Sequence, residues 1–378
     1  MFESKNTIKT KAILILCILM VLLIPAIDAK PVIIGFNENI DQNIIKEHGI
    51  ANYTQYKIIN AISADIPDSV SEKLKKNPKI KYVEEDAQVQ IVGKPSQSQP
   101  PQPPQQITWG VARVKAPETW NNSTGKNVKI AVLDTGISSN HPDLTVSGGI
   151  NLVGTSKNNK WSDDNGHGTH VAGIIAARNN TIGVVGVAPD AQLYAVKVLD
   201  AYGNGYISDV IEGIDWAVQN NMNVVSMSLG TTAYSQALND TTANAYKAGI
   251  LLVAAAGNNG DGNLSTDDVL YPAKFDSVIA VSAVDYNNIA PVWSADGAEV
   301  ELAAPGVDIY STWINGGYAN ASGTSMAAPF VSGVAALVKS KNLSMTPLEI
   351  REALTYNAVD LGNADRDRIY GFGLVQAG

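Results

Sequence analysis

Hydrophobic positions in the first quarter of the chain follow short, regular patterns. Apolar residues form strand-like segments at residues 32–36, 55–66 and 81–92, and they recur at helical spacing in residues 41–48 and 69–77. The order of these segments is typical of a compact unit in which two helices pack on one sheet. We therefore predict a small α+β domain, ferredoxin-like in kind, over residues 30–92.

A segment without any hydrophobic pattern follows this unit. Residues 93–106 consist mainly of proline, glutamine and serine, and such a composition cannot form a core. We predict an extended, exposed linker that proteases can reach.

The pattern changes again after the linker. Apolar runs now lack polar alternation and are rich in β-branched residues, as is typical of parallel strands buried on both faces; these runs are residues 128–133, 193–198, 224–227, 250–256 and 278–282. Helical spacing follows Ser208, and Thr346-Pro347-Leu348-Glu349 has the spacing of a helix start. Residues 107–378 are therefore predicted to form an α/β domain, a mostly parallel sheet with helices on both faces.

The N-terminal segment has the pattern of a secretion signal. Lys5, Lys9 and Lys11 precede an apolar run at residues 12–24, and a small residue, Ala29, follows it. The run is shorter than the roughly 20 residues of a membrane-spanning helix, so we predict a signal peptide over residues 1–29 and no stable span after its removal. An uncleaved anchor is the alternative, and in both cases the protein works outside the cytoplasm.

Composition narrows the classes of function. The chain has 378 residues, of which 45% are hydrophobic and 17% charged, so it can build a large core. Its formal net charge of −9 disfavours a nucleic-acid partner, which requires clustered Lys and Arg. The only cysteine, Cys17, lies in the signal segment, which excludes disulfides and cysteine catalysis elsewhere.

Candidate chemistry begins with Ser325. It lies in Gly323-Thr324-Ser325-Met326-Ala327, directly before an apolar helical run, where unpaired backbone N–H groups can stabilise an oxyanion. A serine nucleophile needs a base and an acid that orients the base. Asp134 follows the predicted strand 128–133 and could supply the acid, although an isolated Asp-Thr-Gly is usually a turn. An aspartic protease is an alternative, but a second such motif is missing from the sequence.

Histidines supply the base. His167 opens Gly166-His-Gly-Thr-His-Val-Ala-Gly173, whose glycines let the backbone pack closely around an imidazole. His170 could form a metal pair with His167, but the glutamate of zinc-protease helices is absent, and we predict a packed core histidine instead. Asn258 follows the predicted strand 250–256, where its amide could donate to an oxyanion.

Together, the segments around Asp134, His167, Asn258 and Ser325 resemble the four signature blocks of the subtilisin-like serine proteases, in the order Asp, His, Ser of that family. Residues 31–92 are similar to the family's inhibitory propeptide. The resemblance implies that Ser325 attacks the scissile carbonyl, that His167 transfers the proton, and that Asp134 orients His167. It also implies an oxyanion hole made by Asn258 and the Ser325 N–H. An α/β-hydrolase would need glycine at Ala327, which argues against that fold.

Substrate residues follow from the same resemblance. Ser228, Leu229 and Gly230 match the segment that pairs with substrate as an added strand. Thr231 stands where the family usually has a second glycine. Leu270 matches the floor of the specificity pocket and is expected to shorten it.

Calcium is the cofactor that the resemblance implies. Gln105, Asp143 and the loop 179–184 match the family's structural Ca²⁺ site, where the side-chain oxygens of Gln105, Asp143 and Asn180 and the carbonyls of Ile182 and Val184 would be ligands. Such a set contains only oxygen, as a hard cation prefers.

The sequence thus predicts a secreted, monomeric serine endopeptidase that acts on polypeptide substrates, is stabilised by Ca²⁺ and is inhibited by its own propeptide. We expect it to cut its precursor between Gln90 and Ser96, near Val92-Gly93. Two alternatives remain: a peptide-binding pseudoprotease of the same fold, and a metal-dependent hydrolase that uses His167 and His170.

Overall fold

The computed structural model describes residues 29–99, 103–154, 157–158 and 160–378. The predicted signal segment, with Cys17, lies outside them apart from Ala29. The described chain divides into two compact units, residues 29–55 with 61–85 and residues 56–60 with 86–378.

The first unit is a four-stranded antiparallel sheet with two helices. Its elements in chain order are β1 (Ala29–Phe36), α1 (Gln42–Glu47), β2 (Tyr53–Gln55), β3 (Ala61–Pro67), α2 (Asp68–Leu74) and β4 (Ile80–Glu85), and the sheet order is β2-β3-β1-β4. Alternate residues of β1 and β3 face a core with both helices, which explains the period of two in the sequence. The predicted α+β architecture is present.

Two predicted strands of this unit were wrong in their extent. Residues 55–66 span the end of β2 and most of β3 and are not one strand, because residues 56–60 lie outside the sheet. Within residues 56–60, the Lys57 N–H donates to the Asp215 carboxylate. Residues 81–92 are likewise interrupted at Asp86, whose carboxylate accepts from the Ser208 N–H (2.9 Å). Their second half is a separate strand of the second unit.

The second unit is built on three sheets. Its described strands are β5 (Gln88–Ile91), β6 (Lys94–Gln99), β7 (Lys129–Asp134), β8 (Val146–Asn151), β9 (Gln192–Lys197), β10 (Asn204–Tyr206), β11 (Val224–Met227), β12 (Leu229–Gly230), β13 (Leu251–Ala255), β14 (Val278–Val284), β15 (Val300–Pro305), β16 (Ile309–Trp313) and β17 (Gly317–Ser322). The largest sheet has seven strands, all parallel, in the order β15-β14-β13-β11-β7-β9-β8. Two smaller antiparallel sheets have the orders β10-β5-β12 and β16-β17-β6.

Helices cover both faces of the large sheet, as predicted. They are α3 (Trp109–Arg113), α4 (Ala116–Thr119), α5 (His167–Ala176), α6 (Ile207–Gln219), α7 (Gln236–Lys247), α8 (Thr324–Lys341) and α9 (Pro347–Tyr356). Val132 shares a core with residues of α5 and α8, whereas its neighbour Leu133 lies against Gly213 of α6. Consecutive strand residues point to opposite faces, so α5 and α8 lie on one side and α6 on the other.

The predicted linker contains a strand. Lys94–Gln99 forms β6, which pairs with β17, so the segment is extended as predicted but is hydrogen-bonded to the second unit. Within the described residues, none of the helices combines the length and the apolar character needed to cross a membrane.

Candidate active site

The site is formed where strands end and helices begin. Asp134 is the last residue of β7, and Asn258 follows β13. His167 is the first residue of α5 and Ser325 the second of α8. Because the carboxyl ends of parallel strands lie at one edge of a sheet, these residues are brought to the same region from distant parts of the sequence.

Asp134 and His167 form a buried pair. The Nδ1 atom of His167 lies 2.8 Å from Oδ1 and 3.0 Å from Oδ2 of Asp134, and both side chains are buried. The close approach depends on Gly168, because a Cβ there would lie 2.2 Å from the Gly136 carbonyl oxygen. The carboxylate holds the proton on Nδ1, which leaves Nε2 free to act as a base.

A second carboxylate, which we did not single out from the sequence, supports this pair. The Asp163 side chain accepts hydrogen bonds from the hydroxyls of Thr135 (2.8 Å) and Thr169 (2.6 Å) and from the Gly166 N–H (2.9 Å). Thr135 and Thr169 flank Asp134 and His167 in the two signature blocks. Asp163 therefore connects these two segments, and its position shortly before the histidine block was the available signal.

Ser325 and Ser228 are held together by a reciprocal pair of hydrogen bonds. The Ser325 hydroxyl donates to the Ser228 carbonyl oxygen (3.0 Å), and the Ser228 hydroxyl donates to the Ser325 carbonyl oxygen (2.8 Å). The His167 Nε2 atom is buried and makes no hydrogen bond within the described residues. The Ser325 hydroxyl is therefore engaged by Ser228 and not by His167.

Asn258 is oriented by Thr324. Its Oδ1 atom accepts from the Thr324 N–H (2.9 Å) and from the Thr324 hydroxyl (3.0 Å). A Cβ on Gly323 would lie 2.8 Å from the Asn258 Nδ2 atom and 2.7 Å from the Val92 carbonyl oxygen. Asn258 Nδ2 and the Val92 carbonyl oxygen therefore both border Gly323, the residue before α8.

Strand β5 occupies the cleft beside the site. Ile91 and Gln90 pair with Leu229 and Gly230 of β12 on one edge, and residues 88–90 pair with β10 on the other. The Ile91 N–H donates to the Gly203 carbonyl (2.9 Å) and the Val92 N–H to the Ser228 carbonyl (3.4 Å). The segment Ser228, Leu229 and Gly230, which we predicted to pair with substrate, contacts the chain's own residues 90–92. Pairing of β5 with β10 on its other edge was not predicted.

The peptide bond that follows β5 by one residue lies beside Ser325. The Ser325 N–H donates to the Val92 carbonyl oxygen (3.2 Å). A Cβ on Gly93 would lie 3.4 Å from the Ser325 Cβ, so Gly93 lies beside the serine. The peptide bond between Val92 and Gly93 is thus bound in the cleft, with its carbonyl at an N–H of the α8 terminus.

Leu270 lies between two glycines that border the cleft. Its side-chain atoms would come within 2.9 Å of a Cβ on Gly230 and within 2.9 Å of a Cβ on Gly257. Beyond it, Thr231 and Tyr271 exchange backbone hydrogen bonds of 2.9 Å. Leu270 therefore fills space next to Gly230 of β12.

His170 has a structural role. Its side chain is 0% exposed, and Nε2 donates to the carbonyl oxygens of Ile309 (3.0 Å) and Ala319 (3.1 Å). Burial, and secondarily the charge of His167, lower the pKa of His170 to about 3. The prediction of a packed core histidine is confirmed.

The five residues predicted to bind calcium lie together. Asp143 is fully buried and accepts from Asn180 Nδ2 (2.7 Å) and the Val184 N–H (2.9 Å). Gln105 joins the loop through its N–H, which donates to the Thr181 carbonyl (3.1 Å). Ile182 and Val184 have carbonyl oxygens that accept no hydrogen bond in the described chain.

This cluster contains the negative charge that a cation needs, but two of its side chains would have to rotate to bind one. Burial raises the pKa of Asp143, because its hydrogen bonds compensate the buried charge only in part. Asn180 directs its nitrogen to Asp143, and Gln105 donates to the Arg178 carbonyl (2.8 Å), so both amides must rotate to present oxygen. The described residues contain no group of three or more His, Cys, Asp or Glu side chains suited to a metal, and amide and carbonyl oxygens would form most of this site.

Comparison with known proteins agrees with this geometry. A sequence model described as "Subtilase family" matches residues 125–373. Subtilisin E of Bacillus subtilis (strain 168) is 44% identical over 354 residues, which cover 92% of this chain and 89% of that protein. The thermostable alkaline protease of Halalkalibacterium halodurans is 43% identical over 89% of this chain and 87% of its own. The minor extracellular protease Epr of Bacillus subtilis (strain 168) is 41% identical over 92% of this chain and 54% of its own. The chain therefore belongs to the subtilase family, and it is a serine endopeptidase.

Proposed function

We propose that this protein is a secreted endopeptidase that is made as a precursor and processes itself with Asp134, His167 and Ser325. The observation that carries the proposal is the position of the peptide bond between Val92 and Gly93. Its carbonyl oxygen accepts from the Ser325 N–H (3.2 Å), as the oxygen of a bond about to be cut must.

The reaction follows from the geometry of these groups. The Ser325 hydroxyl turns to His167 Nε2, loses its proton to it and attacks the Val92 carbonyl carbon. The Ser325 N–H and Asn258 Nδ2 stabilise the oxyanion, and Asp134 stabilises the positively charged imidazole. His167 then gives its proton to the nitrogen of Gly93, and the C–N bond breaks. Water, activated by His167, hydrolyses the acyl-enzyme.

The same contacts support inhibition by the segment before the cut. After cleavage, residues 88–92 can remain in the cleft, because their pairing with β10 and β12 does not involve the broken bond. A retained strand excludes substrate from that position. We infer that residues 30–92 act as an inhibitory propeptide and that activity follows their release.

The P1 residue, the one before the scissile bond, is Val92 in the precursor. Its side chain is buried, and Leu270 fills space next to the neighbouring strand β12. We propose that Ser228, Leu229 and Gly230 bind the backbone of polypeptide substrates and that Leu270 restricts the P1 side chain to short residues.

Calcium is proposed as a structural cofactor. Asp143 would hold the ion by charge, with the amide oxygens of Gln105 and Asn180 and the carbonyls of Ile182 and Val184. When bound, the ion would neutralise a carboxylate that burial otherwise disfavours, and it would tie residues 103–106 to the loop 179–184.

Secretion is proposed on two grounds. The basic, apolar and small residues of segment 1–29 have the order of a signal peptide. One relative, the protease Epr, is by name extracellular. We infer a monomer, with its own propeptide as the inhibitory partner.

Labelling with a fluorophosphonate tests the proposed chemistry. Mature enzyme should react at Ser325 and lose activity, and a chelator should not prevent brief labelling. The Ser325→Ala variant should not be labelled, whereas Ser332→Ala, on the same helix, should be labelled normally. Failure of folded wild type to react would favour a pseudoprotease, and activity that resists the label but not the chelator would favour a metal-dependent hydrolase.

A further inference from the structure

We propose that β17 is a second substrate-binding strand, which pairs with extended polypeptide from the second to the seventh residue after the scissile bond (P2′ to P7′). This inference rests on the proposed cleavage between Val92 and Gly93. It names a requirement of the substrate: an unfolded chain long enough to cover both sides of the bond.

The observation is the pairing of the chain's own β6 with β17. Lys94, the P2′ residue, pairs with Ser322, and Gln99, the P7′ residue, pairs with Tyr318. The pairing is antiparallel throughout, with one irregularity between Asn320 and Ala321. The backbone contact therefore runs along nearly the whole of β17, from the residues next to Ser325 outwards.

The edge is fixed by the rest of the unit. On its other side β17 pairs with β16, so removal of β6 leaves one open edge. The Ala319 carbonyl accepts from the buried His170 ring (3.1 Å), and the Tyr318 hydroxyl donates to Asp143 (3.2 Å). A preformed strand can accept a partner without first being ordered, which lowers the cost of binding.

Pairing of this kind uses backbone groups and tolerates different side chains. Pro95 is accommodated at P3′ although it lacks an N–H. Each backbone hydrogen bond contributes roughly 0.5–1.5 kcal/mol, which corresponds to about 2- to 12-fold in affinity. A substrate that ends at P7′ makes several such bonds more than one that ends at P2′. Its kcat/KM should therefore be higher, on the order of tenfold or more.

The two sides of the cleft predict different responses to loss of an amide hydrogen. Strand β5 lies between β10 and β12 and is paired on both edges. Neighbouring residues such as Ile91 and Val92 therefore both donate their N–H groups, and N-methylation of either one should lower activity. Among the described strands, β6 pairs only with β17. Within each regular stretch, residues 94–95 and residues 97–99, N-methylation should therefore cost about 2- to 12-fold at alternate positions and little at those between.

The experiment is a scan with a fluorogenic peptide that copies residues 88 to 99, with alanine in place of Pro95. Each backbone amide is methylated singly, and a second series is shortened from P7′ to P2′. Mature enzyme carrying Gln97→Pro and Ser98→Pro is used beside wild type, because these changes remove the amide hydrogens with which its own arm could compete for β17. The variant should show the larger length dependence, and both enzymes should show the same alternation.

The outcomes separate this inference from the proposed function. Alternating losses together with a length dependence support pairing along β17. Losses before the scissile bond, with neither alternation nor a length dependence after it, would overturn the role of β17 and leave the proposed cleft intact. Insensitivity on both sides would contradict the bound geometry of residues 88–92 itself.

Discussion

Acid should destabilise this protein through His170, and the effect can be separated from that of other groups. The folded side chain takes up a proton only near pH 3, since burial lowers its pKa to about 3. In the unfolded chain the same imidazole is protonated near pH 6.5. Protonation therefore favours the unfolded state as the pH falls below about 6.5, and the stability that His170 contributes is present above that pH.

The size of the effect follows from the two pKa values. Each pH unit between them corresponds to about 1.4 kcal/mol, so a change from pH 7 to pH 4 should lower the free energy of unfolding by about 3 kcal/mol through this residue alone. A His170→Gln variant retains a donor for the carbonyls of Ile309 and Ala319 but cannot titrate. It should be less stable than wild type at pH 7, yet lose about 3 kcal/mol less on acidification.

Urea unfolding at pH 7, 6, 5 and 4 measures this difference. Both proteins should carry Ser325→Ala to prevent self-digestion, and calcium should be kept constant. Carboxylates titrate equally in the two proteins, so the difference between their pH dependences isolates His170. Parallel dependences would refute the assignment of a neutral, doubly hydrogen-bonded imidazole.

Three further predictions concern the cofactor, the oxyanion and the pocket. Calcium at a hundredfold excess over its Kd should stabilise the mature enzyme by roughly 2.7 kcal/mol. Both a chelator and Asp143→Ala should remove this gain, as measured by thermal unfolding, and an unchanged melting temperature would mean that the site is misassigned. Asn258→Ala should lower kcat by about 10²- to 10³-fold, the range known for the equivalent subtilisin residue, with little change in KM; an unaffected kcat would exclude Asn258 from the oxyanion hole. Leu270→Gly should improve kcat/KM for large P1 residues relative to valine, measured with a series of peptides, and an unchanged preference would place the pocket elsewhere.

The sequence was sufficient for the large sheet because its strands have a simple composition. The runs that form β7, β9, β11, β13 and β14 were predicted within two residues. Strand β8 was missed because its two glycines, Gly148 and Gly149, dilute the apolar pattern. Strand β15 was missed because it contains Glu301, a buried carboxylate that is paired with Arg351.

Positions of the candidate catalytic residues could be predicted because each one marks the end of an element. Asp134 ends a strand, and His167 and Ser325 begin helices, so local patterns located them. Contacts between distant segments had no such signal. The role of Asp163 depends on a fold that brings Thr135 and Thr169 to it.

The segment 86–99 shows the same limit more clearly. Its local pattern predicts the end of one strand followed by a linker. In the folded chain, β5 and β6 are ordered by backbone pairing with β10, β12 and β17, and composition carries no information about partners that are so far away in sequence.

Cleavage by Ser325 of the chain's own bond between Val92 and Gly93 can be followed in the precursor itself. Wild-type and Ser325→Ala precursors are purified in parallel, incubated, and analysed by intact mass and N-terminal sequencing. Replacement of the catalytic serine costs on the order of 10⁶ in kcat in subtilisin, so the variant should remain a single chain while wild type yields a first product that begins at Gly93. Processing of the purified variant at that bond would show that another protease makes the cut, and a first wild-type cut outside residues 90–96 would show that Ser325 does not cut this bond first.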